Sequence, residues 1–110
     1  WPKVRTGKQA LVEALKSERG DALSASLFAV LASREALPDE ALTDQERTLS
    51  PIRRSSPRFI VSNTYGTRAS TVVIATRRAA HETRVSFAEH SFGPGARDDG
   101  RVTHALTWSG

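Results

Sequence analysis

Apolar side chains in the first half of the chain recur at helical spacing. Leu11, Val12 and Leu15 fall on one face of an α-helix, and Thr6–Gln9 has the residue spacing of a capping box. The pattern therefore predicts a helix that begins at Thr6 and that Gly20 ends.

A second helix is predicted from Asp21, which suits an N-cap, to the neighbourhood of Pro38. Its apolar stripe is wide enough to bury against a sheet or another helix and consists of Leu23, Leu27, Phe28, Val30 and Leu31. Thr43–Glu46 matches another capping box, and Pro51 limits the helix that follows to one or two turns. Pro51–Pro57 is polar and predicts an exposed connection.

The second half of the chain changes to the spacing of β-strands. Phe59–Ser62 predicts a short strand, and Ser70–Thr76 is so rich in apolar β-formers that we expect it to be covered on both faces. Thr83–His90 and Val102–Trp108 alternate apolar and polar positions. Each of these two strands therefore has two distinct faces.

Two connections join these strands: a hairpin at Arg77–Glu82 and a longer loop at Gly93–Gly100. The predicted fold class is α+β, with two to three helices in residues 1–50 and three to four antiparallel strands in residues 58–108, all within one partial domain spanning residues 1–110. A strand buried on both faces needs cover on both sides, and two amphipathic helices supply only one. We expect either that the chain oligomerises or that a second layer lies upstream of it.

Length and composition narrow the class of protein. A chain of 110 residues and 12.0 kDa suits one small domain, and no apolar run approaches the ~18 residues that span a bilayer. The absence of cysteine excludes disulfides, thiolate zinc sites and a cysteine nucleophile within this stretch. Methionine is also absent, so we expect a segment of a longer protein or a trimmed one.

The basic charge is concentrated in the second half. Residues 1–50 hold seven basic and eight acidic side chains, whereas residues 51–110 hold nine and four. This balance supports an alternative function, a basic module for nucleic acid or acidic surfaces, formed by Arg53, Arg54, Arg58, Arg77 and Arg78. Aromatic side chains that could stack on bases are scarce there, so we do not expect nucleic acid as a partner.

Residues 64–74 carry the most specific motif in the chain. Tyr65–Thr71, read as Tyr-Gly-Thr-Arg-Ala-Ser-Thr, resembles the Tyr-Gly-Thr-Arg-x-Ser-Thr block of the transport and Golgi organisation protein 2 family, also called the NRDE family. Trp1–Val4, Leu37–Asp39 and Val85–Glu89 resemble flanking motifs of that family in the same order. The resemblance covers nearly the whole chain.

Two segments depart from the family pattern. The hairpin at Arg77–Glu82 is longer and more basic than the usual Asp-Gly turn, and the loop between Leu42 and Arg58 is reduced. Both departures affect loops that could set ligand specificity.

The resemblance implies the carboxyl-terminal part of an αββα fold like that of amino-terminal nucleophile hydrolases. It also implies cytoplasmic handling of haem or another small molecule, in a pocket shared with a missing amino-terminal half and without a membrane span. An amidohydrolase-type reaction would need an upstream amino-terminal cysteine, so no residue of this chain is assigned a catalytic role, and fold alone does not license a reaction.

The ligand-binding candidates lie in and beside the family block. Gly66 can let the backbone approach a ligand closely, and Arg68 offers donors for a carboxylate or a haem propionate. Alternatively, Gly66 occupies a turn and Arg68 pairs with Glu89. Ser70 and Thr71 can donate hydroxyl hydrogen bonds, or they can be present only for β-propensity. The candidate set is Tyr65, Gly66, Thr67, Arg68, Ser70, Thr71 and Glu89.

The three histidines have no zinc-motif spacing, so no metal site is predicted. A haem iron needs only one axial histidine. We interpret His104 as a satisfied histidine on a half-buried face and His81 as a solvated hairpin residue. His90 follows Glu89 and can pair with it.

Overall fold

A computed structural model describes residues 1–110 and begins with two long helices, α1 (Pro2–Ser17) and α2 (Gly20–Leu31). The predicted start at Thr6 is wrong: Pro2 occupies the first turn of α1, where its missing N–H costs nothing. Thr6 lies inside the helix, and its hydroxyl donates to the Pro2 carbonyl at 3.1 Å. Gly20 begins α2 rather than ending α1, with a φ of +58°.

Two short helices follow, α3 (Asp44–Arg47) and α4 (Pro51–Ser55). The capping box that begins α3 is confirmed, because the Thr43 side chain accepts from the Glu46 N–H and the Glu46 carboxylate accepts from the Thr43 N–H. The connection predicted at Pro51–Pro57 is instead helical in its first part, since Ser50 caps the backbone at Arg53. A 3₁₀ turn at Asp39–Ala41 precedes α3.

Three antiparallel strands form one sheet in the order β1 (Ala69–Ala79), β2 (Glu82–Gly93) and β3 (Arg97–Ser109). The α+β class and its order of helices and then strands are confirmed, as is the hairpin, in which Ala79 pairs with Glu82. The longer loop expected between β2 and β3 is wrong: a 3₁₀ turn at Pro94–Ala96 is enough to reverse the chain.

The short strand expected at Phe59–Ser62 does not form, because its backbone groups bond elsewhere. The Phe59 N–H donates to the Ser33 carbonyl at 2.8 Å. Ile60 bonds to Thr67 at both of its backbone groups, each at 3.0 Å. The segment is therefore fixed as a turn and adds no fourth strand.

The helices cover only one side of the sheet. α2 packs on β1 and α1 packs on α2, so Val72 is 5% exposed. The next residue, Val73, points to the opposite side and is 58% exposed. Burial of Ser70–Thr76 on both faces is therefore wrong for this chain.

We call the uncovered side of the sheet the open face. Register and alternation place on it, among others, Thr71, Val73, Ala75, Arg77, Thr83, Val85, Phe87, Glu89, Val102, His104, Leu106 and Trp108. Two of its large apolar members are well exposed, Leu106 at 58% and Trp108 at 68%. None of the helices is long and apolar enough to cross a membrane.

Candidate functional site

Gly66 lies in a tight turn that precedes β1. A Cβ at this position would meet the Ile60 carbonyl oxygen at 2.7 Å, which is closer than a side chain tolerates. Glycine is therefore required here by a close approach of backbone to backbone. The group that packs against Gly66 is the Ile60 peptide, which is part of the same turn.

Thr67 and Arg68 fix this turn to the end of β2. The Thr67 hydroxyl accepts from the Ile60 N–H, and the Arg68 carbonyl accepts from the Phe92 N–H at 2.7 Å. The crevice that these residues form with Gly93 and Pro94 encloses no ligand-sized volume. Tyr65 lies at its rim and is largely exposed.

The Arg68 side chain does not pair with Glu89. Its guanidinium has no carboxylate within ion-pair distance, although it is close enough to help lower the pKa of Asp99, whose main partner is Arg97. Arg68 therefore lies at the edge of the sheet without an ion-pair partner.

Thr71 and Glu89 form the polar pair of the open face. They are directly opposite each other in the β1–β2 register, and the Thr71 hydroxyl donates to the Glu89 carboxylate at 2.6 Å. A carboxylate held in this way retains its second oxygen as an acceptor for a ligand donor.

His104 lies near the centre of the open face, and the interpretation of a satisfied half-buried histidine is wrong. It is exposed and lies opposite Phe87 in the register, with ring centroids 6.2 Å apart. His90 points to the helix side instead, and its Nε2 lies 3.0 Å from an Asp98 carboxylate oxygen. No local pattern could indicate this pair, because it depends on the register of the hairpin that separates the two residues.

Ser70 lies on the side of the sheet opposite Thr71. Its side chain is 7% exposed and lines a cavity of about 280 Å³ between α2 and the end of the sheet. The structure thus divides the predicted candidates among three places: the Gly66 turn, the open face with Thr71 and Glu89, and this cavity.

Arg58 departs from the predicted basic patch. Its Nε donates to the Val30 carbonyl at 2.7 Å, and its Nη1 donates to the Thr6 hydroxyl at 2.8 Å. The side chain is used inside the domain to join α1 and α2, so it is not available for phosphate. This role could not be predicted from the sequence, because Val30 and Thr6 are far from Arg58 along the chain.

Residues 1–94 match the profile of the family described as Transport and Golgi organisation 2. The chain belongs to this family. The match includes all the ligand-binding candidates between Tyr65 and Glu89 and ends in the turn at Pro94–Ala96, so β3 lies beyond it. Neither the curated proteins nor the solved structures gave a match.

Proposed function

We propose that this chain is the carboxyl-terminal part of an αββα domain that handles haem or another small molecule in the cytoplasm. A second layer from the amino-terminal half of the same protein covers the open face, and the ligand binds between the two layers. The observation that carries the proposal is an apolar sheet face left without a partner.

The open face has the character of an interior surface. Ala75, Val85 and Leu106 form one apolar row across the three strands, and Val73 and Phe87 lie in the next row. Soluble monomers rarely expose contiguous apolar patches of more than a few hundred Å². A sheet of this kind buries such a face against another layer.

The polar groups of this face suit a flat apolar ligand that has few polar contacts. His104 presents an imidazole among apolar neighbours, which is the environment of an axial haem ligand. Thr71 and Glu89 lie two residues away from Val73 and Phe87 along β1 and β2, which is about 7 Å in an extended strand. The second carboxylate oxygen of Glu89 would accept a hydrogen bond from one end of the ligand and so orient it.

The chain has no cysteine, so an amidohydrolase reaction would depend on a nucleophile outside these 110 residues.

A Soret titration of the complete natural protein with haemin tests the proposal. We expect a shifted Soret band at both about 50 and about 200 mM salt, with little change in affinity, because the ligand binds on an apolar face. Binding by a basic module to phosphate groups would instead weaken steeply over that range of salt. His104→Ala should alter or abolish the shift, and His81→Ala, on the exposed hairpin, is the matched control. An unchanged spectrum would contradict haem binding, and steep loss of binding with salt would favour the basic module.

A further inference from the structure

The cavity lined by Ser70 has aromatic walls from three different parts of the chain. Phe28 comes from α2, Phe59 from the turn before β1, and Phe92 from the end of β2. The rings of Phe59 and Phe92 meet edge to face, with centroids 4.8 Å apart and an interplanar angle of 84°. This arrangement is favourable for aromatic rings. Phe59 is only 3% exposed, so the half-buried rings of Phe28 and Phe92 are the ones available to a planar guest.

Two arginines complete the cavity. The Arg101 guanidinium lies 4.5 Å from the ring centroid of Phe28, and that of Arg34 lies 5.4 Å from the centroid of Phe59. Neither forms an ion pair with a carboxylate of the chain. Guanidinium groups stacked on aromatic rings keep their N–H edges free to bind an anion.

Asp98, an acid beside the cavity, already has partners. Asp98 accepts from the Gly100 N–H at 2.9 Å and lies 3.0 Å from His90 Nε2. Asp98 and Arg101 are close enough to influence each other electrostatically, but they do not form a pair. Arg101 is therefore a cation at the solvent-exposed edge of a mostly apolar cavity, without a carboxylate partner of its own.

We propose that this cavity binds a small aromatic carboxylate. Its rings would lie against Phe28 and Phe92, its carboxylate would receive paired N–H bonds from Arg101, and the Ser70 hydroxyl would donate a further bond. The volume of about 280 Å³ is just below the ~300 to 1,000 Å³ of pockets for drug-sized ligands. The guest therefore has one or two rings and is smaller than haem.

This site is separate from the open face. Ser70, His90 and Arg101 form one row of the sheet register, and the adjacent row of Thr71, Glu89 and Val102 points to the opposite side. The inference does not depend on haem binding, and either proposal can fail without the other.

Calorimetric titration of the complete natural protein with naphthalene-2-carboxylate tests the inference. We expect saturable binding of the carboxylate. Naphthalene-2-carboxamide should bind at least about tenfold more weakly than the carboxylate, because a hydrogen bond to a charged group is lost. Arg101→Gln should weaken carboxylate binding by about tenfold or more and leave the affinity for the amide nearly unchanged. Arg54→Gln, on α4, is the matched control and should bind like the wild type.

A second variant keeps the test independent of folding. Phe28→Leu should weaken both probes with the charge unchanged, and circular dichroism should show a wild-type thermal transition. Equal affinity for carboxylate and amide, or wild-type affinity in Arg101→Gln, would overturn the proposal. Tighter binding of 2-naphthyl phosphate than of the carboxylate would overturn the assignment of the ligand class, and absence of binding would overturn the site itself.

Discussion

Arg5 and Glu46 form a two-point hydrogen-bonded ion pair that joins α1 to α3. The Arg5 Nε and Nη2 atoms donate to the two Glu46 oxygens at 3.0 and 2.8 Å. Glu46 also accepts from the Thr43 N–H. These bonds from Arg5 and then from Thr43 lower the pKa of Glu46 to about 2. One carboxylate thus closes a capping box and holds two helices together.

We predict that this pair makes stability depend on pH in the acid range. Because the Glu46 pKa is lower in the folded state than its usual 4.5, its contribution is fully present above about pH 4.5 and is lost as pH falls toward about 2. Urea unfolding at pH 6 and pH 3 measures this loss. Glu46→Gln should be less stable than the wild type at pH 6, and the difference should shrink at pH 3. A constant difference would contradict the mechanism.

We predict that Gly66→Ala destabilises the domain. The added methyl would lie 2.7 Å from the Ile60 carbonyl oxygen, so the turn must shift at a cost of about 1 to 3 kcal/mol. Gly110→Ala is the control, since the nearest atom to a methyl there would be the Trp108 Nε1 at 3.4 Å, an ordinary contact distance. Thermal unfolding should show a loss for Gly66→Ala and no loss for Gly110→Ala.

We predict that Arg58→Met weakens the junction between the helices. Val30 lies in the last turn of α2, where carbonyls lack partners within the helix, and the Arg58 Nε supplies one. Methionine keeps the apolar stem and removes both hydrogen bonds, so we expect a loss of about 1 to 2 kcal/mol. Arg54→Met on α4 should unfold like the wild type in urea, and equal losses in the two variants would contradict this role.

We predict that the open face is covered in the complete natural protein. Leu106→Lys would then bury a charge and cost several kcal/mol, whereas a substitution on a free surface changes stability by only about 0.5 kcal/mol. Thr107→Lys is the matched control, because its side chain points to the other side, in a polar row with Thr76 and Arg84. Similar melting temperatures for the two variants would show that no layer covers the face.

Much of the strand architecture could be read from the sequence, because strand periodicity is a local property. The alternation in Thr83–His90 and Val102–Trp108 identified two strands and the composition of their faces. Thr43 and Glu46 identified a capping box that the structure contains, since a capping box involves residues only three positions apart. The Tyr65–Thr71 block pointed to the family to which the chain belongs.

The tertiary structure decided what depends on distant partners. Phe59–Ser62 has strand-like residues, but hydrogen bonds to Ser33 and Thr67 hold it as a turn. His90 pairs with Asp98 rather than with its neighbour Glu89, because strand register brings together residues that are separated along the chain. Alternation predicts that a strand has two faces, but only the packing of α2 determines which face is buried and leaves the other open.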